Sequence, residues 1–121
     1  MNNGIKRMIT VVNKRTHIPT EYDVYIGRGS LVGNPFTHMK GKTKAQEIVL
    51  SREEAIEKYK EWIVEQYKSN KEVKRFIKTL ARKELVGEEI YLVCYCMPLA
   101  CHGSILKKMI EIVAKRIEGN Q

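Results

Sequence analysis

The sequence predicts one compact α/β domain, in which a small mixed or parallel sheet of about three strands is covered by about three helices in a Rossmann-like layering. Three observations support this prediction. The 121 residues suffice for one hydrophobic core and are too few for two ordinary domains. Apolar residues follow strand patterns near the N-terminus and again around residue 90, and they follow helical spacing elsewhere. With 43% hydrophobic and 30% charged residues, the composition is that of a folded soluble protein, so residues 1–121 are treated as one domain.

The N-terminal part predicts two strands and a long loop. Met8–Asn13 is a short apolar run, and Asp23–Ile26 alternates in polarity before it reaches glycine, so both are predicted strands. His17–Thr20 lies between them as a turn. Gly27–Lys44 holds four of the eight glycines and is too long for a simple connection. Ordered loops of this length in small domains are usually functional.

Two amphipathic helices follow. Ser51 and Glu54 form a capping box that starts the first helix, which extends to about Lys68. Ser69-Asn70 interrupts the pattern, and a second helix ends at Gly87. Their apolar stripes are predicted to be core: Ala55, Tyr59, Trp62, Ile63 and Tyr67 in the first helix, and Val73, Phe76, Ile77, Leu80 and Ala81 in the second.

The C-terminal part predicts one strand and one helix. Ile90–Cys96 is a continuous apolar run with β-branched and aromatic members, which is typical of a central strand covered on both faces. After Pro98, a last helix is predicted from about Cys101 or His102 to Glu118. A small sheet also exposes edges, so pairing into a homo-oligomer is a further expectation.

The net charge of +8 is concentrated in the N-terminal part. Met1–Ala45 carries eight basic and two acidic residues, whereas Gln46–Glu89 carries ten of each. Such a field attracts phosphate in a free nucleotide or in nucleic acid, although a basic surface also serves solubility alone. No segment approaches the roughly 20 apolar residues of a membrane span, and Met1–Arg7 lacks the apolar stretch of a secretory signal. We therefore expect no membrane partner and a cytoplasmic location.

The segment from Cys94 to Gly103 joins the central strand to the last helix. The carboxyl ends of strands beside helix N-termini favour anions, so a ligand pocket with Cys96, His102 and Gly103 in its wall is predicted here. Cys101 would lie near the first helical turn, where the helix dipole lowers a thiol pKa.

Cys101 is therefore a candidate nucleophile, with His102, or with His17 or His38 brought in by folding, as its base. The alternative is that the thiols only pack in the core. Zinc is a further interpretation of Cys94, Cys96, Cys101 and His102. The first two point to the same face of a strand and no distant second ligand pair exists, so we expect neither a metal nor a cofactor.

The second half of the predicted pocket is the glycine-rich loop Gly27–Phe36. Its glycines permit close approach, so that successive amides can turn toward an anion, while Arg28 supplies charge. It is neither a Walker loop nor a dinucleotide fingerprint, and glycines of this kind also mark plain turns. The expected ligand contacts in this half are Asn13, Arg15, Gly27, Arg28, Gly29, Ser30 and Asn34.

These motifs together resemble those of a small bacterial and phage family known as domain of unknown function 4326. The resemblance rests on Val12–Arg15, Tyr25–Ser30, Gly33–Phe36, Ser51–Ala55, Cys94–Pro98 and Cys101–Gly103. Where this family often has tryptophan between the first two cysteines, the chain has Tyr95. The resemblance implies occurrence in phage or bacteria, and it implies no particular reaction.

Three functions remain open from the sequence. The first is binding of an anionic nucleotide-derived small molecule, which in a phage would sequester a host defence signal. The second is a cysteine-dependent enzyme acting on a nucleotide, nucleoside or base. The third is a nucleic-acid-binding module. The two central helices argue against it, because they are charge-balanced and present no basic face.

Overall fold

The structure is a computed structural model that describes residues 8–37, 47–48, 51–95 and 102–119. The predicted α/β class is confirmed, with three helices and a three-stranded parallel sheet. A short parallel pair, β3 with β4, adds a feature that the sequence did not predict, because strands of two residues carry no readable alternation. The elements are β1 (Met8–Asn13), β2 (Asp23–Tyr25), β3 (Phe36–Thr37), β4 (Glu47–Ile48), α1 (Arg52–Ser69), α2 (Lys71–Leu85), β5 (Glu89–Cys94) and α3 (His102–Gly119).

The main sheet has the order β1-β5-β2, so the strand that comes last in the chain lies in the centre. Both neighbours pair with it in parallel: Ile9 is opposite Ile90, and Val24 is opposite Leu92. Because all three strands run in the same direction, their carboxyl ends meet at one side of the sheet. We call this side the carboxyl edge.

Residues 14–22 form a crossover from β1 to β2. Parallel strands require such a connection, because the chain must return to the other end of the sheet. The ring centroid of His17 in the crossover lies 5.1 Å from that of Tyr91 in β5. Val93 projects from the same face as Tyr91 and is only 5% exposed. The crossover therefore covers this face of the sheet.

The helices cover the opposite face. Ile90, Leu92 and Cys94 alternate along β5 and are fully buried in the core. The cover on both faces that the sequence predicted for this strand thus comes from helices on one side and the crossover on the other. Among the residues described, helical core side chains join one face only, and a Rossmann-like layering stays a prediction. These helical side chains include Tyr59, Ile63, Val73, Ile77, Leu80, Leu106 and Ile110.

Local signals set the helix ends. The Ser51 hydroxyl accepts a hydrogen bond of 3.1 Å from the amide of Glu54, as predicted for the start of α1. Asn70 ends α1 and caps α2 with its side-chain oxygen. Gly87 has a φ of 82°, and the amide of the following residue donates to the Lys83 carbonyl at 3.0 Å. This Schellman arrangement confirms the predicted end of α2.

Candidate functional site

The carboxyl edge brings the start of α3 against the end of β2. The Nε2 atom of His102 lies 2.6 Å from the Ile26 carbonyl oxygen, and because a carbonyl can only accept, Nε2 carries the proton and donates. A Cβ on Gly103 would lie 2.7 Å from Cγ1 of Val11 and 3.1 Å from Cδ1 of Ile26. Glycine is thus needed where α3 touches β1 and the residue that follows β2. His102 and Gly103 thus hold the N-terminus of α3 at the carboxyl edge.

The glycine-rich loop folds into two successive turns. The Gly27 carbonyl accepts from the Ser30 amide at 3.1 Å and from its hydroxyl at 2.6 Å, and the Ser30 carbonyl accepts from the Gly33 amide at 3.1 Å. Gly29 has a φ of 92°, which side chains disfavour. The Arg28 guanidinium donates to the carbonyl of Asn34 and closes the loop. The Arg28 side chain therefore has an internal contact, and its predicted contact with an anion stays a prediction.

The far end of this loop is anchored on α1. Asn34 is buried, its amide donates to the Ala55 carbonyl at 3.2 Å, and its side-chain oxygen accepts from the Phe36 amide at 2.9 Å. The Tyr59 hydroxyl donates to the Val32 carbonyl at 2.7 Å. The contacts of Asn34 with the protein thus support the loop, while its expected contact with a ligand stays a prediction.

An exposed cluster of Arg15, Tyr25 and Tyr95 lies at the ends of the three strands; we call it the tyrosine cluster. The guanidinium carbon of Arg15 lies 5.4 Å from the centroid of the Tyr95 ring. The Tyr25 ring meets Tyr95 edge to face, with centroids 6.3 Å apart and planes at 74°. The two tyrosines are 42% and 46% exposed, so both rings are open to a ligand.

Hydrogen bonds with Asn13 and with the Arg28 carbonyl hold the tyrosine cluster in place. The Asn13 side-chain amide donates to the Tyr95 carbonyl at 3.4 Å, and its oxygen accepts from the Arg15 amide at 2.8 Å. The Tyr25 hydroxyl donates to the Arg28 carbonyl at 3.1 Å. Two of the predicted ligand residues, Asn13 and Arg15, are therefore adjacent in space to the end of β5.

Sequence reasoning did not place the two tyrosines in the site. Their common face follows from the pairing of β2 with β5, because Tyr25 is opposite Val93 and Tyr95 lies two residues beyond Val93. The sequence does show one aromatic residue near the end of each of these two strands. Without the register between the strands, it could not predict that the two rings meet.

The two ends of the sheet differ in charge. Lys14 and Arg15 directly follow β1, and Arg28 lies three residues after the end of β2, at the carboxyl edge. The opposite end carries mostly carboxylates, so the charge polarity of the sheet favours an anion at the carboxyl edge. These acidic residues are Glu21, Asp23, Glu88 and Glu89, with Lys83 beside them.

His17, one of the three candidate bases, is engaged with Asp23. Its Nε2 lies 2.9 Å from the Asp23 carboxylate, which also accepts from the Thr20 hydroxyl at 2.8 Å. Burial alone would raise the pKa of Asp23, but the hydrogen bonds with His17 and Thr20 outweigh it and hold the pKa below its ordinary value. The pair ties the crossover to the start of β2.

The hypothesis of a cysteine nucleophile depends mostly on residues outside the described ranges. These are Cys96, Cys101 and His38. Cys94 is fully buried in the core, as the packing alternative requires. Within 8–37, 47–48, 51–95 and 102–119, no three His, Cys, Asp or Glu side chains are grouped to hold a metal ion. Helices of the length and apolarity needed to cross a bilayer are also absent from these ranges.

Comparison of the sequence with known proteins and families identifies the family of this chain. No curated protein and no solved structure is significantly similar to it. The sequence model of the family described as domain of unknown function (DUF4326) matches residues 9–112, which extend from β1 into α3 and include all the predicted site residues. The protein therefore belongs to the DUF4326 family.

Proposed function

We propose that this protein binds a small anionic ligand derived from a nucleotide at the carboxyl edge of its sheet. The observation that carries the proposal is the tyrosine cluster, in which Arg15 lies over Tyr95 and Tyr25 meets the same ring at the ends of three parallel strands. Ligands of open α/β sheets bind outside the carboxyl ends of the strands.

The chemistry of the cluster suits a nucleotide. Exposed aromatic rings accept a nucleobase by stacking, which contributes about 1–3 kcal/mol per base. A guanidinium offers a flat surface for stacking and a fork of N–H donors for a phosphate. Tyr95 and Arg15 together therefore offer contacts to both parts of one nucleotide.

The electrostatics of this edge favour the anionic part. The N-terminus of α3 is held here by the hydrogen bond from His102 to Ile26, and the positive end of its dipole stabilises negative charge nearby. Arg15 is exposed, whereas the Arg28 side chain is partly buried against the loop. We therefore assign the main phosphate contact to Arg15.

We extend the proposal to the biological setting. In a phage-infected cell, capture of a nucleotide made by the host as a defence signal would lower its free concentration in the cytoplasm. Sequestration needs tight binding and no turnover, so the stoichiometric complex is the functional state.

Calorimetry with cyclic dinucleotides, ADP-ribose derivatives and ordinary nucleotides tests the binding step. For the ligand that binds, Arg15→Ala and Tyr95→Ala should each weaken affinity about tenfold or more, since each removes about 1.4 kcal/mol or more of contact energy. Tyr95→Phe should bind nearly as well as the wild type because it keeps the ring. Arg75→Ala, which removes an exposed arginine of α2, is the matched control and should have no effect.

Three results would contradict the proposal. Binding of no compound in the panel would remove the ligand class. Conversion of the ligand by the wild type but not by Cys101→Ala, followed by mass spectrometry, would establish the cysteine-dependent enzyme instead. Tight binding of DNA or RNA with a steep salt dependence would favour the nucleic-acid-binding module.

A further inference from the structure

A groove with a volume of about 720 Å³ lies between α1 and α3. None of the lining residues belongs to the tyrosine cluster. The groove exists because α3 packs more extensively on α2 than on α1. Its apolar lining consists of Ile56, Ile63, Val64 and Tyr67 from α1, and Ile105, Met109, Ile112 and Val113 from α3.

The apolar stripe of each helix extends from the core to the surface here. Ile63 and Val113 are buried at the floor, whereas Val64 is 42% exposed and Ile112 is 52% exposed. Apolar residues that line one continuous groove on two helices mark an interaction surface more often than scattered exposed side chains do. The groove therefore has the character of a surface that a partner covers.

The rim of the groove is basic. Among its described lining residues there are four cations and one carboxylate, Glu57, which gives a net charge of +3. The cations are Lys60 and Lys68 on α1, and Lys108 and Arg116 on α3. An occupant of this groove therefore has to combine an apolar face with acidic flanks.

We propose that the α1/α3 groove binds an acidic amphipathic helix of a partner protein. An amphipathic helix fills a groove between two helices with side chains at positions i, i+3, i+4 and i+7. α1 and α3 each have 18 residues, a length of roughly 27 Å, which matches about five turns of a bound helix. Acidic residues beside its apolar stripe would meet the four cations of the rim.

Charge also argues against occupants from this protein. A symmetric pair of grooves would bring two basic rims together, which is repulsive. The N-terminal residues 1–7 contain Lys6 and Arg7, and residues 38–46 contain three lysines, and neither segment contains a carboxylate side chain. A groove-to-groove dimer and these two segments therefore lack the complementary charge, and we assign the occupant to another protein.

Fluorescence anisotropy with labelled 18-residue peptides tests the proposal on the full-length protein. The probe has leucine at the i, i+3, i+4 and i+7 positions and glutamate on its flanks. A lysine-flanked peptide and a peptide of the same composition with scrambled leucine positions are controls. The glutamate peptide should bind at least about tenfold more tightly than either, and its affinity should fall with added salt.

Variants connect binding to the groove. Val64→Asp and Ile112→Asp should each weaken binding of the glutamate peptide about tenfold or more. Val86→Asp is the matched control, because Val86 is 71% exposed at the end of α2 and does not line the groove. The double variant Lys108→Glu, Arg116→Glu should reverse the preference in favour of the lysine peptide, a gain of binding that no folding defect explains.

Four outcomes would overturn the proposal. The first is that no peptide binds, and the second is that the glutamate and lysine peptides bind with equal affinity. The third is a wild-type dimer in sedimentation velocity that Val64→Asp dissociates. The fourth is binding to phosphatidylglycerol vesicles that Ile112→Asp abolishes, while the peptides do not bind. The third would assign the groove to a second copy of this chain, and the fourth to a membrane surface. Because the tyrosine cluster is not altered in these variants, nucleotide binding can fail or succeed independently.

Discussion

The substitution Gly33→Ala tests the geometry of the glycine-rich loop. A Cβ on Gly33 would lie 2.3 Å from the Gly27 carbonyl oxygen, 3.0 Å from its carbonyl carbon and 3.1 Å from Cα of Arg28. All three neighbours are backbone atoms, and Gly33 is buried. The loop must open by about 0.7 Å before the shortest contact reaches 3.0 Å, and no side-chain rotation can relieve it.

The expected destabilisation has two sources. Overpacking in a well-packed region costs about 1–3 kcal/mol, and the displaced Gly27 carbonyl accepts two hydrogen bonds from Ser30, each contributing about 1 kcal/mol. With partial retention of these bonds, the free energy of unfolding should fall by about 2–4 kcal/mol. For 121 residues the melting entropy is about 0.25 kcal/mol/K, so the Tm should fall by about 8–16 °C.

Thermal unfolding followed by circular dichroism measures this change, with two glycine-to-alanine controls. Gly119→Ala should leave the Tm within about 2 °C of the wild type or raise it, because outside its own helical turn no atom of the described residues lies within 4 Å of the added methyl group. Gly27→Ala should have an intermediate effect of about 1–2 kcal/mol, because its Cβ meets the hydroxyl end of Tyr25, a partly exposed side chain that can rotate away. A Gly33→Ala protein that melts with the Gly119→Ala control would refute the loop geometry and the anchoring derived from it.

Three further substitutions test other parts of the fold. Tyr59→Phe removes the donor to the buried Val32 carbonyl and should cost about 1–3 kcal/mol in urea unfolding; an unchanged midpoint would mean that this hydrogen bond contributes nothing net. The pKa of Asp23 in the folded state is below the ordinary 3.8, so its carboxylate stabilises the fold above that pH and the contribution is lost as the pH falls through the folded-state pKa. Asp23→Asn should therefore be less stable than the wild type at neutral pH, with a gap that closes in urea titrations at the acid end, and a gap independent of pH would contradict the pairing. Gly87→Ala should lower the Tm by roughly 4 °C, because alanine at a φ of 82° costs about 1 kcal/mol, and no decrease would argue against the Schellman end of α2.

Most of the secondary structure was readable because its signals are local. The capping box at Ser51, the interruption at Asn70 and the stop at Gly87 act within a few residues, and the structure has helix ends at or next to each of them. The two longer strands were readable for the same reason, since apolar runs of six residues carry a clear pattern. β3 and β4 were not readable, because two residues carry no periodicity and their pairing joins segments that are distant in the chain.

The candidate site was predicted from the strand ends, and its ligand contacts stay predictions. The prediction that the glycine-rich loop and the start of the last helix lie together follows from the rule that parallel strands end at a common edge. His102 bonds to Ile26, the residue before the loop, and a shared ligand pocket stays a prediction. Polar residue types could not reveal whether a side chain faces a ligand or the protein backbone. Asn34 is one such case, because its bonds to Ala55 and Phe36 depend on how α1 packs against the loop.

The sequence by itself determined the α/β fold class, the ends of the helices and the glycine positions that the loop requires. Capping, periodicity and backbone sterics operate over short distances, so local patterns reveal them. Only the tertiary structure decided the order of the sheet, the cover of β5 by a crossover, the tyrosine cluster and the basic groove between α1 and α3. Each of these depends on residues far apart in the chain. Arg15 and Tyr95 are in contact, and Val64 and Ile112 line the same groove. The relative placement of such residues is set by packing of the whole core, which no local pattern encodes.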